Sequence, residues 1–450
     1  MGQGCFQRGS QAMNKTVAVT GAGASGLVAA AGAASLGARV LLFDQNDRIG
    51  RKLSATGNGK GNIANCRMEE QCYHSEEPEE LSRIYRDIHR DEVLQLLEDR
   101  GIVLHARQGY IYPRTDLAAT VTEGLWQWIA EVGTELHLQE AVTGVQKVPS
   151  GFLIRTGTGE EYRADALILA TGGMAGPQFG CDGSGYQIAR SLGHQCTAVR
   201  PSLTALKTKD PVLHFAAGVR CLSTVRMVIG RSEETAGGTE SGEFGEVQFG
   251  KDSISGIPVF QLSSDAGRAL AQGESVRLIL DLLPEFDRDS GTFSPGRKAA
   301  ELIGGTWEQE WNRRMQDTRN ISIAEWMNGL AVPRLAAMIA ARAGLTAENK
   351  IRKLTREQLA MLLSLLRHFE IEVTGTGTYR DAQVTSGGIR LSEIGASFAS
   401  LLCPGLYFAG EILDIEGICG GYNLTFAMSS GWSAGRAAAA AGIPESVQNR

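Results

Sequence analysis

Apolar residues fall into two kinds of run along this chain. Thr16–Thr20, Arg39–Phe43 and Ala166–Leu169 are short and almost uninterrupted, the pattern of strands covered on both faces. Between the first two, Leu27–Leu36 is Ala-rich and free of proline, which predicts a helix buried over most of its surface. Residues 45–66 are dense in Gly, Asn and basic side chains and read as an extended loop. Leu81–Arg100 has the periodicity of one charged amphipathic helix, and Asp116–Val132 that of a second, with Val121, Leu125, Trp128 and Ile129 on one face. Glu135–Leu138 is a strand, and Ala141–Val148 with Gly151–Thr156 makes a β-meander hairpin. Asp182–Leu192 is helical and stops at Gly193.

The style changes at 196–374. Strands occupy about 200–285, among them Val225–Ile229 and Val276–Leu280, with Gly230–Gly250 as a hairpin and its loop. Helices fill about 295–370, at Ala299–Ile303, Ile323–Met327, Pro333–Ala343 and Arg356–Phe369. Strand-and-glycine style returns at Asp381–Ile389 and Gly405–Glu411, and Thr425–Ala441 is a last Ala- and Ser-rich helix. The expected organisation is a disordered extension at 1–12, a nucleotide-binding domain built from 13–195 and 375–450, and an inserted substrate domain at 196–374.

The chemistry begins where the first strand ends. Gly21-Ala22-Gly23-Ala24-Ser25-Gly26 is a GxGxxG turn between a strand and a helix, and Asp44 closes the second strand. Gly21 permits the tight turn, Gly23 lets backbone approach a pyrophosphate, and Gly26 lets the helix pack close. The helix N-terminus offers free N–H groups to the diphosphate, and Asp44 can accept from ribose hydroxyls. A lone GxGxxG is weak, but strand, helix, second strand and acid are all present, so a dinucleotide site is expected. The motif by itself does not choose between FAD and NAD.

Composition narrows the classes. With 44 Lys and Arg against 50 Asp and Glu, the net charge of −6 argues against broad nucleic-acid binding. The eight cysteines form no CxxC pair, which argues against a zinc or iron–sulfur centre and for free thiols in a reducing cytoplasm. No apolar run reaches the ~18 residues of a membrane span, and residues 1–12 lack the apolar core of a signal peptide. A soluble, cytoplasmic protein is expected, of undetermined oligomeric state.

Five stretches together, GAGASGLVAA, IGRKLSATGNGKGN, LILATGG, QVTSGGI and PGLYFAGEILDIEGICGGYNLTFAMSSG, resemble the HI0933-like, aminoacetone-oxidase-like family of NAD(P)/FAD-dependent oxidoreductases, one branch of which comprises bile-acid 3-oxo-enone reductases. The resemblance runs from about Val17 to Gly435 and is weak through 205–250. It implies an α/β fold: a Rossmann-like FAD-binding domain, a parallel sheet with a β-meander, interrupted by a β-barrel-plus-helical substrate domain. It implies FAD in the glycine turn, held by Gly21, Gly23, Ala24, Ser25, Gly26 and Asp44. Arg51, Lys52, Gly57 and Asn58 would lie beside pyrophosphate and flavin, Val142 at the adenine edge, and Thr171 and Gly172 at the adenine-side diphosphate. Gly410 and Glu411 would approach the ribityl chain, and Asn423 and Leu424 would bring helix amides to the flavin N1–C2=O edge, where reduced flavin is negative. The plainer reading of Arg51 and Lys52 is solvated surface charge.

Two departures from that family matter. Gly61 stands where relatives carry Cys, so no thiol chemistry is placed there. Gly109-Tyr110-Ile111-Tyr112-Pro113 replaces Gly-Arg-Val-Phe-Pro, exchanging a cation for an aromatic lining suited to a bulky apolar substrate. Reduction of an enone C=C needs a carbonyl polariser and a proton donor. Tyr110, Tyr112 and Tyr422 are the catalytic candidates, Arg114 a possible polariser, and His105 the histidine closest in sequence to them; the plainer reading of each tyrosine is a packed aromatic. No metal-ligand motif stands out. The expected activity is NAD(P)H-linked reduction of a 3-oxo steroid or bile-acid enone, with NAD(P)H a transient donor since there is no second GxGxxG. The alternatives are an oxygen-using amine oxidase and a non-catalytic flavin-binding or RNA-associated protein.

Overall fold

The computed structural model describes residues 15–230, 239–286 and 306–440. The expected extension at 1–12, the expected helix at 299–303 and the tip of the 230–250 hairpin lie outside them. The chain divides into two compact units, residues 1–199 with 384–450, and residues 200–383.

The first unit is built on a five-stranded parallel sheet. Its order is Leu406–Phe408, Ala166–Leu169, Thr16–Thr20, Arg39–Asp44, Glu135–Leu138. Burial explains the uninterrupted apolar runs: Val17, Ala18, Val19 and Ala166–Leu169 are all fully buried. The expected hairpin forms a separate antiparallel sheet of Val142–Val148, Gly151–Thr156 and Glu161–Ala164. This is a Rossmann-like α/β architecture.

Helix Ala24–Ser35 is covered on its other side by the C-terminal helix Tyr422–Ala440. The contact is backbone on backbone. A Cβ at Gly431 would stand 2.2 Å from the Ser25 carbonyl oxygen, and one at Gly435 2.2 Å from that of Ala29. Gly431 and Gly435 lie one turn apart on one helix face, as do Ser25 and Ala29 on the other, so two rows of small residues meet. Ala-rich composition at both ends of the chain thus records this one seam.

The second unit carries a seven-stranded antiparallel sheet, Phe369–Val373, Val276–Asp281, Arg220–Ile229, Thr239–Phe249, Ser253–Gly256, Leu206–Lys207 and Gly375–Thr376 in spatial order. The first and last strands of that order are consecutive in the chain, joined by Thr374 alone, so the sheet curls towards closure as a barrel. Helix Ile257–Ala271 and the helices Pro333–Arg342 and Arg356–Arg367 share its apolar core.

Three boundary expectations need correction. The edges read at 196 and 374 fall at 200 and 383. Cys196 pairs with Ile389 and the Thr197 amide donates to the Gly388 carbonyl, which keeps 196–199 in the first unit. Gly377 N–H to the Ala205 carbonyl and Gln383 N–H to that of Leu203 keep 375–383 in the second. The helix read across Leu81–Arg100 is two, Pro78–Tyr85 and Arg90–Glu98. Ser429 of the C-terminal helix makes the break, its hydroxyl donating to the Asp87 carbonyl and accepting from the His89 amide. The extended loop at 45–66 contains a helix Arg51–Ala55, a tight turn Thr56–Gly59 and a strand Ala64–Asn65.

One carboxylate is buried deep in the first unit. Asp414, 1% exposed, accepts from the Ser75 hydroxyl and the Glu76 amide at 3.1 Å each. Burial pushes it up to about 6, the hydrogen bonds offsetting only part of that. A folded-state pKa above the unfolded one gives stability that is complete below pH ~4 and lost as pH rises through about 6. Asp414→Asn should therefore gain on the native protein between pH 4 and pH 7 by on the order of 2–3 kcal/mol in urea unfolding. At the helix seam, Gly435→Ala should cost about 1–3 kcal/mol by the same measurement, because the new methyl can only be admitted by parting the helices.

Candidate dinucleotide site

The glycine turn is shaped by contacts that only glycine allows. Gly21 has φ +96°, and a Cβ there would meet the Ala170 carbonyl oxygen at 2.4 Å. A Cβ on Gly26 would stand 1.8 Å from the Gly21 carbonyl oxygen. Gly23 differs: with φ −84° it is not conformationally special, and a Cβ there meets nothing within 4 Å. The open side of Gly23 is the cradle, at the start of a 12-residue helix with no side-chain cap.

Asp44 holds this turn in place. One carboxylate oxygen accepts the Ala22 amide at 2.7 Å, and the other the backbone and side-chain N–H of Asn46 at 2.8 Å each. The oxygen that accepts from Ala22 keeps lone-pair capacity for a ribose hydroxyl. Asn46 links the strand end to the 176–183 loop, donating to the Phe179 carbonyl at 3.0 Å and accepting from Arg51 at 2.7 Å. Arg51 also donates to the Gln178 carbonyl, so the structure spends its guanidinium on loop closure. Thr171 and Gly172 border the same turn, the Thr171 Cα 3.0 Å from where a Gly21 Cβ would be, and Gly172 at φ +72° against Cys181. Val142 lies at the first rung of its sheet, opposite Thr156.

Lys52 and Glu411, 359 residues apart, form an ion pair at 2.6 Å with side chains 24% and 18% exposed. Burial by itself would lower the Lys52 pKa; the charge of Glu411, then that of Cys181, and the hydrogen bond to Glu411 more than offset it and hold the amine above its ordinary value. The other Glu411 oxygen accepts the Thr385 amide at 3.1 Å and hydroxyl at 3.0 Å. The Thr385 hydroxyl in turn accepts the amides of Met174 and Ala175 at 2.8 and 2.9 Å. Glu411 is thus a strut between segments. Its neighbour Gly410, φ +75°, is wedged so close to Ser25 that a Cβ would lie 2.7 Å from the hydroxyl, while its amide donates to Ser430 at 2.9 Å. The glycine turn and the C-terminal segment therefore meet at Gly410.

At the start of the C-terminal helix, the Asn423 side chain clasps the Gly417 peptide, accepting from its N–H at 2.8 Å and donating to its carbonyl at 2.6 Å. The amides of Asn423 and Leu424 belong to the first turn, where no helix carbonyl can serve them. Gly57 and Asn58, both left-handed, are exposed, whereas Asn62 carries a buried Oδ1 without a hydrogen-bond partner among the described residues. The cradle at Gly23, the uncapped helix and the orphaned Asn62 oxygen fit a bound dinucleotide.

The three tyrosines divide. Tyr422 is 3% exposed, edge-on to Tyr73 at 5.9 Å, and burial together with its hydrogen bond to Cys72 raises its pKa. Its surroundings are those of a packed aromatic. Tyr110 and Tyr112 are half-buried on one face of the strand Tyr110–Pro113, with Ile111 and Pro113 buried on the other. Tyr110 lies against the loop before the C-terminal helix, its ring 3.2 Å from where a Gly420 Cβ would be. His105 bonds Asp116 at 3.0 Å. Among the described residues, no cluster of three or more metal-ligating side chains exists and no helix is long and apolar enough to cross a membrane.

Sequence reasoning passed over Asn46, Asn62 and Thr385 as site residues. Asn46 had a local signal, two residues past Asp44, where such a side chain folds back on the strand end. Thr385 had none, because its partners come from residues 174, 175 and 411.

A family model described as HI0933-like protein Rossmann domain matches residues 15–437. The chain is 36% identical over 437 residues to the 3-dehydro-bile acid delta(4,6)-reductase of Clostridium scindens, covering 95% of this chain and 99% of that protein. It is 28% identical over 420 residues to the ribosomal RNA dihydrouridine synthase of Escherichia coli, covering 92% and 96% respectively. Among solved structures, 3-ketosteroid-delta4-(5alpha)-dehydrogenase from Rhodococcus jostii RHA1 superposes with a TM-score of 0.46 at 15% identity, over 96% of this chain and 98% of that one.

Gly23→Ala separates ligand binding from folding. Its methyl meets no atom of the protein, so the thermal midpoint of the ligand-free chain should move by less than about 2 °C. FAD affinity, read by flavin fluorescence, should fall by at least about tenfold, since the methyl fills the space a pyrophosphate needs.

Proposed function

The chain belongs to the HI0933-like Rossmann family, and from that premise we propose that it is an FAD-dependent oxidoreductase that uses NAD(P)H to reduce a C=C bond conjugated to a carbonyl in a bulky apolar substrate, a 3-oxo steroid or bile-acid intermediate. The observation that carries this reading is the end-to-end similarity to a 3-dehydro-bile acid delta(4,6)-reductase, joined to a glycine turn that leaves open space beside Gly23.

The chemistry that FAD would supply when bound is hydride transfer, from a nicotinamide to the carbon β to the carbonyl. The protein's part is orientation and charge. Gly23 and the amides of the first turn of Ala24–Ser35 would hold the diphosphate, Asp44 the ribose, and Thr171 and Gly172 the near side of the turn; Val142 would meet the adenine. The first-turn amides of Asn423 and Leu424 would oppose negative charge on the ring. Lys52 and Glu411 act through Thr385, keeping the walls in register. Tyr110 and Tyr112 are the groups we assign to carbonyl polarisation and proton delivery, because they are half-buried on one strand face whereas Tyr422 is enclosed.

A second reading is favoured by the similarity to ribosomal RNA dihydrouridine synthases. Dihydrouridine is uridine with its ring C=C, conjugated to a carbonyl, saturated, so the bond chemistry is the same and only the carrier differs. The net charge of −6 speaks against a polyanionic carrier. Anaerobic holoprotein reduced with NADH or NADPH decides between them. Reoxidation of the flavin should accelerate at least about a hundredfold with a 3-oxo-4,6-diene steroid and not with uridine-containing RNA. Reoxidation no faster than in buffer sinks the first reading; acceleration by RNA alone installs the second.

A further inference from the structure

The strands Leu104–Arg107 and Tyr110–Pro113, with Ala64–Asn65, form a three-stranded sheet in the first unit whose two faces differ in kind. Register puts Ala64, Ala106 and Ile111 on one face, and Asn65, Arg107, Tyr110, His105 and Tyr112 on the other. On that second face the Arg107 guanidinium lies 5.0 Å from the centre of the Tyr112 ring, and the His105 ring 6.1 Å from it. Asp116 is the acid within reach, bonded more closely to His105, at 3.0 Å, than to Arg107, at 3.3 Å. Arg107 remains 46% exposed, with most of its five N–H donors uncommitted to Asp116. The Lys60 charge also acts on Asp116, so two permanent cations balance one carboxylate there.

This face runs into the candidate site. The Asn65 side-chain NH2 donates to the Gly420 carbonyl at 3.3 Å, and the Tyr110 ring lies against Gly420. Gly420 leads directly into the first turn of the C-terminal helix, where flavin is placed above. A flat aromatic lining beside that turn, with a cation at its outer end, has the polarity of a molecule with fused apolar rings and a negative tail.

We propose that this sheet face seats the substrate's rings against Tyr110 and Tyr112 and that Arg107 selects substrates whose side chain ends in a carboxylate. The inference rests on the enone-reductase reading and names a specificity residue for it. Arginine suits the role because its planar fork binds a carboxylate through two parallel bonds while stacking on an aromatic ring.

The test uses holoprotein and one steroid dienone in two forms, the free side-chain acid and its methyl ester, with binding read from the flavin absorbance perturbation and turnover from dienone loss. The native protein should bind the acid about tenfold more tightly than the ester, the scale of one charge-assisted contact. Arg107→Met should bring the acid-to-ester ratio to about one through the acid's KM, with kcat for the acid falling less than about twofold, and Arg107→Lys should restore part of the ratio. Tyr112→Leu should weaken acid and ester together. Retained FAD content shows that each variant has folded. A ratio that survives Arg107→Met overturns the proposal, as does an equal loss for acid and ester. It is also overturned if Arg107→Met impairs only uridine-containing RNA. If other enones are reduced but neither form of this dienone binds, the enone-reductase reading stands and the inference about Arg107 falls.

Discussion

The close approach of Ala24–Ser35 to Tyr422–Ala440 is the constraint on which the candidate site depends. Two helices from opposite ends of the chain can bring their backbones this near only when small residues line both faces, and a methyl at Gly431 or Gly435 would already overlap a carbonyl of the partner helix. The seam sets where both helices begin. It places Gly410 against Ser25, so the segment that would face the ribityl chain and the turn that would face the diphosphate become neighbours. Dispersion over such a seam is individually weak and summed over many atoms, which makes the geometry stiff: the helices cannot slide without losing contact along their whole length.

The polar counterpart of that seam is the relay from Lys52 through Glu411 and Thr385 to the amides of Met174 and Ala175. Every oxygen of it has a partner, which matters in a half-buried position where an unmet charge or hydroxyl is costly. Arg51 and Asn46 do similar work between the end of Arg39–Asp44 and residues 178–179. The site is therefore held by residues that touch one another. What it leaves open is backbone: the amides near Gly23 and those at the start of the C-terminal helix.

Much of this was legible in the chain. The parallel strands announced themselves as unbroken apolar runs because both of their faces are covered. The glycine turn was readable because its spacing, the apolar strand before it and the Ala-rich helix after it are all local in the chain. The barrel-like insertion could be seen from a change of pattern, although its edges could not, because residues 196–199 and 375–383 are assigned by pairing with distant partners. The break in the helix at 86–89 escaped for the same reason: its cause is Ser429. Lys52, read as a group for phosphate or flavin, turned out to be committed to Glu411, and Tyr422, read as a proton donor, to be enclosed. Neither fact leaves a trace in the local sequence.

The division has one physical origin. Local sequence determines what depends on neighbours within a few residues: strand or helix periodicity, the φ that a turn demands, the space a glycine spares, the first acid after a strand. By such means it determined the Rossmann-like fold, the dinucleotide turn with Asp44, and the absence of a basic footprint. Tertiary structure alone decided which polar groups are already spent on one another and which remain for a ligand, because hydrogen bonds and ion pairs over separations of 200 to 360 residues are set by packing. It also decided that Tyr110, Tyr112 and Arg107 share one face, and that this face borders the C-terminal helix.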